Sequence, residues 1–124
     1  MPENTKTVKK SKGRVYTPDY IVKNILDMAH YNGATILNKH VIDNSCGDGA
    51  FLCEIVDRYC NIAISNNVTF EDLKYQLETY IHGIEIEPVE HKKCLENVNA
   101  IAKKYGIITD ISWDIICADT LTKI

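Results

Sequence analysis

The chain has 124 residues, enough for one domain with a hydrophobic core and too few for two. Apolar residues at 45% and charged residues at 25% are ordinary for a soluble globular protein, and no run approaches the roughly 20 apolar residues that a membrane helix needs. The net charge of −3 conceals an asymmetry, because Lys6, Lys9, Lys10, Lys12 and Arg14 oppose only Glu3 in residues 1–14 while the remainder carries −7.

Residues 1–14 therefore form a basic, disordered arm, open to two readings: a solvated tail, or a contact for nucleic-acid phosphates. The arm has no apolar core and is not a signal peptide. Five cysteines, at 46, 53, 60, 94 and 117, are an odd number spread over several elements. They are expected to be reduced thiols in a cytoplasmic protein rather than a disulfide framework. Cys53 with Cys60, and His91 with Cys94, fall on predicted helices, but without a C-x-x-C knuckle no metal site is expected.

The first element, "YTPDYIVKNILDMAHYNG", reads as a helix with Thr17 as N-cap, Pro18 at the first helical position and Asp19 complementing the dipole. Ile21, Val22, Ile25, Leu26 and Ala29 make its apolar stripe, and Asn32-Gly33 ends it. "KHVID" is a short buried strand. After the turn Cys46-Gly47-Asp48-Gly49, the residues Phe51, Leu52, Ile55, Val56 and Tyr59 repeat at helical spacing. A further helix starts at Thr69, with Asp72 as its capping partner. "YIHGIEIE" is a second strand, Pro88 opens a helix that stops near Gly106, and "SWDIICAD" is a third strand. This alternation predicts an α/β fold: a parallel sheet with flanking helices, of which the chain holds the first three strands.

In open parallel sheets ligands bind beyond the carboxyl ends of the strands. Asp43 follows the first predicted strand, Glu85 ends the second and Asp119 follows the third. The glycine turn, G-D-G-A-F-L, lacks the third glycine of a dinucleotide fingerprint and points Asp48 at any phosphate; no G-K-[ST] follows it either. A ligand with ribose hydroxyls, an exocyclic amine, a cationic tail and no phosphate suits three acids and a glycine turn better. S-adenosylmethionine has these groups.

Four blocks in order carry a family resemblance. "GRVYTPDYIV" (13–22), "DNSCGDGAFL" (43–52), "GIEIEP" (83–88) and "CADTL" (117–121) are similar to blocks of the amino-methyltransferases that modify adenine N6 in DNA, as in bacterial restriction–modification systems. The resemblance implies a partial Rossmann-like methyltransferase fold, with residues 15–124 as the S-adenosylmethionine-binding half of the catalytic domain. It implies that Tyr16, Thr17 and Pro18 hold the methionine carboxylate and its helix start. Asp43, Cys46, Gly47 and Gly49 would line the methionine portion, with Asp43 toward the ammonium. Glu85 would take the ribose hydroxyls, Ile86 and Phe51 the adenine ring, and Asp119 the adenine amine; Phe51 reads equally well as core. Glu87, beside Pro88, reads as a helix cap.

Asn44 stands where the family has proline, and Gly49 lies 36 residues from Glu85, against about 20 in a compact dinucleotide unit. The inserted helix from Thr69 accounts for the difference. The family's catalytic [NDS]-P-P-[YFW] block is absent, since the three prolines stand at 2, 18 and 88. The chain is thus expected to bind the methyl donor without catalytic residues of its own, as a truncated part of a larger enzyme. That enzyme's partners would be DNA and restriction or specificity subunits, with no membrane. Alternative readings are an RNA or protein-glutamine methyltransferase of the same fold, or a stand-alone adenosyl-ligand binding or assembly module.

Overall fold

The computed structural model describes residues 17–119. The basic arm and Tyr16 lie outside the described residues. Helix α1 (Asp19–Met28) and one 3-10 turn (Ala34–Ile36) lead into β1 (Val41–Asp43). Then come α2 (Ala50–Ser65), α3 (Phe70–Tyr80), β2 (Ile81–Glu85), α4 (Pro88–Lys104) and β3 (Asp114–Cys117). The strands form one parallel sheet in the order β1-β2-β3, with Val41 opposite Ile81 and His82 opposite Asp114. The expected alternation of helices and parallel strands is the fold observed.

Alternation along β2 separates two faces. Ile81, Gly83 and Glu85 are buried under the helices, whereas His82 and Ile84 point the other way and are only half-buried. The buried face packs on Leu52, Ile55, Val56 and Tyr59 of α2 and on Cys94, Val98 and Ala102 of α4, all nearly or wholly inaccessible. The opposite face carries Ile42, 55% exposed, with Ile84 and Ile116 around a groove of about 480 Å³. At its edge toward the strand N-termini, His40 Nδ1 lies 2.8 Å from His82 Nε2, and His82 Nδ1 donates to Asp114 at 2.5 Å.

Two helix ends differ from the sequence expectation. Pro18, not Thr17, is the N-cap of α1; its carbonyl accepts from Ile21 and Val22 N–H, and no side chain caps. A proline carbonyl can accept this first helical bond, so the threonine hydroxyl is not needed. At the other end α1 stops before Asn32-Gly33: His30 takes a left-handed φ of 62°, and Tyr31 N–H bonds the Leu26 carbonyl in a Schellman closure. Within the stripe, Val22 and Leu26 are buried, while Ile25 is 45% exposed and Ala29 is exposed. The cap of α3 is as expected, with Thr69 Oγ1 accepting from Asp72 N–H at 3.1 Å.

Arg58 fastens α1 to α2. Its guanidinium donates to Asp27, to Glu54 and to the carbonyls of Tyr31 and Lys23. The planar fork of arginine makes such simultaneous bonds possible.

Gly83 is the closest packed point of the sheet. A Cβ there would sit 2.7 Å from Leu52 Cδ1, 3.3 Å from Ile115 Cγ2 and 3.4 Å from Cys46 Sγ. Gly83→Ala is therefore expected to destabilise the fold by about 1–3 kcal/mol, the usual cost of overpacking. Urea unfolding would register it as a lower midpoint at unchanged slope.

Candidate functional site

The three strand ends and the glycine turn meet at one edge of the sheet. Leaving β1, Asp43 Oδ1 accepts from Ser45 N–H at 3.1 Å, an Asx turn that reverses the chain. Cys46 N–H then bonds the Ile84 carbonyl at 3.0 Å, which brings the turn alongside β2. Gly49 N–H closes the turn on the Cys46 carbonyl at 2.9 Å. Gly47 has φ 56° and Gly49 φ 98°, so the turn needs left-handed backbone on both sides of Asp48.

Glu85 organises this edge. It is 3% exposed, and its Oε1 accepts from Gly47 N–H at 2.7 Å while its Oε2 accepts from Glu87 N–H at 2.9 Å. Its own carbonyl accepts from Ala118 N–H at 3.0 Å, tying in the segment that leads to Asp119. One residue thus connects the turn after β1, the start of α4 and the turn after β3.

Thiols pack beneath the turn. Cys46 and Cys94 are both buried, and their mutual hydrogen bond, followed by burial, pushes the Cys94 thiol up. A Cβ on Gly49 would lie 2.9 Å from Cys94 Sγ. Cys53, on α2, is pushed up to about 11 by burial and by Asp48 nearby. Cys53 and Cys94 are thus structural, protonated thiols, not nucleophiles. Among the described residues no three His, Cys, Asp or Glu side chains converge as metal ligands. No described helix is long and apolar enough to cross a membrane.

The expected site residues fall as follows. Asp43, Cys46, Gly47, Gly49, Glu85 and Asp119 share the strand-end edge, with Cys46, both glycines and Glu85 buried and Asp43 and Asp119 half-buried. Ile86 follows directly and is 56% exposed, an apolar surface beside the acids. Phe51 is half-buried and packed against the core. Thr17 is half-buried and Pro18 exposed ahead of α1. Glu87 does occupy the N-cap position of α4, but its side chain makes no cap; its N–H serves Glu85 and its carbonyl accepts from His91.

Two contributors were not legible in the sequence. Asn97 on α4 donates from Nδ2 to the Asp48 carbonyl at 2.9 Å, and His91 donates from Nε2 to the Ile115 carbonyl at 2.7 Å. Each is an ordinary polar helical residue by pattern; only the packing of α4 on the sheet gives it a partner. Spacing holds a faint signal, since Asn97 lies one turn beyond the buried Cys94.

With this geometry in place, the chain can be set beside known proteins. Residues 1–123 match the N-6 DNA Methylase family. The chain belongs to that family. No curated protein matches it. Among solved structures, it is similar to a nuclease-deletion mutant of the Type ISP restriction-modification enzyme LlaGI in complex with a DNA substrate mimic, with a TM-score of 0.62 and 19% identity over 86% of this chain and 9% of that one. It is similar also to the ATP-dependent Type ISP restriction-modification enzyme LlaBIII bound to DNA, with a TM-score of 0.64 and 16% identity over 85% of this chain and 8% of that one. The chain thus spans less than a tenth of either enzyme, and at these identities the likeness is one of fold.

Asp48 offers a pH test of the turn. Burial, then the Glu90 carboxylate, raises its carboxyl above the usual 3.8, against a hydrogen bond from Ala50 N–H that favours the ionised form. The folded chain therefore holds this proton to higher pH than the unfolded chain does, and stability falls as pH rises through the raised value. Asp48→Asn keeps an acceptor for Ala50 and removes the charge. It is expected to raise the urea midpoint at pH 7, with the advantage over the parent shrinking as pH falls toward 3.8. An advantage that grew on acidification would contradict this account.

Proposed function

We propose that this chain is the methyl-donor-binding part of an enzyme that methylates adenine at N6 in DNA, in a restriction–modification setting. Membership of the N-6 DNA methylase family supports the reaction class. The observation that carries the reading is the buried Glu85 at the end of the central strand, with the glycine turn bonded to it and the exposed Ile86 beside it.

The donor set fits S-adenosylmethionine. Asp43, Glu85 and Asp119 are acids at three successive strand ends, suited to an ammonium, to ribose hydroxyls and to an exocyclic amine. A carboxylate has about four acceptor positions, so Glu85 can take hydroxyls as well as backbone donors. When bound, the cofactor would supply a sulfonium methyl group for transfer to the amine of an extruded adenine, the sulfur leaving as a neutral thioether. Tyr16 and Thr17 hold the methionine carboxylate, with Pro18 setting the helix start. Cys46, Gly47 and Gly49 line the methionine chain, the glycines letting backbone come close without a Cβ in the way. Ile86 and the edge of Phe51 pack on the adenine ring of the donor. The chain's task is positioning, which accounts for a large share of catalysis in bimolecular transfers. The [NDS]-P-P-[YFW] block that would hold the target base does not occur in these 124 residues.

Titration calorimetry on the full chain tests the site. Binding of S-adenosylmethionine is expected, with Glu85→Gln and Asp119→Asn each weakening it by at least about tenfold, the size of one charge-assisted hydrogen bond. Absence of binding by the parent chain, or binding indifferent to both substitutions, would refute the assignment.

A further inference from the structure

We propose that Asn97 is a positioning residue for the methionine end of the methyl donor, acting through the glycine turn; this rests on the function proposed above. The turn is two glycines around Asp48, with φ 56° before it and 98° after it. A peptide unit between such residues meets little steric resistance to rotation, because glycine lacks the Cβ that restricts φ and ψ. The turn's own bond from Gly49 N–H to the Cys46 carbonyl holds the 48–49 unit at one end, and groups outside the turn hold the rest.

Two side chains do so, from opposite sides in sequence. Glu85 accepts from Gly47 N–H and fixes the first peptide unit. Asn97 donates to the Asp48 carbonyl at 2.9 Å and fixes the unit between Asp48 and Gly49. That carbonyl is thereby directed at α4, and the Gly49 N–H on the same peptide plane is directed oppositely, to the Cys46 carbonyl at 2.9 Å. The Cys94 thiol, one turn earlier on α4, occupies the space against Gly49. Without Asn97, the 48–49 peptide can rotate and present its carbonyl elsewhere, while β2 and the Glu85 carboxylate stay in place. The loss should then fall on ligands with an amino-acid tail and spare the adenosine portion.

The two parts can be separated with S-adenosylmethionine and 5′-methylthioadenosine, which lacks the tail. In the full chain, Asn97→Ala is expected to weaken the first by about fivefold to tenfold, the worth of one hydrogen bond, and to leave the second within about twofold. Asn97→Asp, equal in size but without the donor, should behave like the alanine variant, and Asn97→Gln, which keeps it, should recover part of the loss. A ligand-free check guards against a folding defect: in ¹⁵N spectra of Asn97→Ala, the Gly49 amide should shift or broaden while the Gly83 amide does not. Equal losses for both ligands, or no loss for either, would overturn the role of Asn97 while leaving the methyl-donor site standing. A parent chain that bound neither ligand would remove both proposals together.

Discussion

A carboxylate buried to 97% is expensive unless its charge is met by donors, and Glu85 meets that condition with backbone N–H groups from Gly47 and Glu87. The geometry of the strand-end edge depends on this. Because Gly47 N–H must reach Glu85, the chain after β1 has to double back over the end of β2, and Cys46 N–H bonds the Ile84 carbonyl as it does so. Because Glu87 N–H serves the same carboxylate, α4 can start only one residue further on, at Pro88. The residue that forms the floor of the candidate site is thus also the residue that holds it together. A ligand hydroxyl arriving at Glu85 would join an arrangement already ordered, with little further entropy to lose.

The helices beneath the edge are packed for close approach. Leu52 leaves no room for a side chain at Gly83, and Cys94 leaves little at Gly49. Small thiols at positions 46 and 94 fit where a branched residue would not, and their burial makes them spacers. This tightness lets α2 and α4 transmit their position to the turn, Asn97 being the direct link. The open face of the sheet is of another kind, with Ile42, Ile84 and Ile116 around the groove and the His40–His82–Asp114 chain at the strand N-termini.

Much of the fold was legible because its signals are local. Helical spacing in residues 51–59, the Thr69–Asp72 cap, Pro88 at the first turn of α4 and Gly106 past its end each depend on neighbours within a turn or two. Legibility failed where two local solutions compete. Thr17 is a good cap by propensity, yet the Pro18 carbonyl opens α1. Asn32-Gly33 is a good stop, yet His30 takes the left-handed position first, because Tyr31 is partly buried and draws the chain inward. The acids and glycines of the candidate site stood out since their types are unusual at strand ends, whereas Asn97 and His91 did not.

By itself, then, the sequence determined the order of elements, the parallel sheet and the set of polar residues at its carboxyl edge, since periodicity, caps and strand-end position are properties of short segments. Tertiary structure alone decided that Glu85 is shared between three segments, that two thiols meet beneath the turn, and that Asn97 holds a carbonyl 49 positions away in the chain. Those contacts join segments distant in sequence, and no local pattern encodes the distance between them; it is set when α2 and α4 close on one face of the sheet.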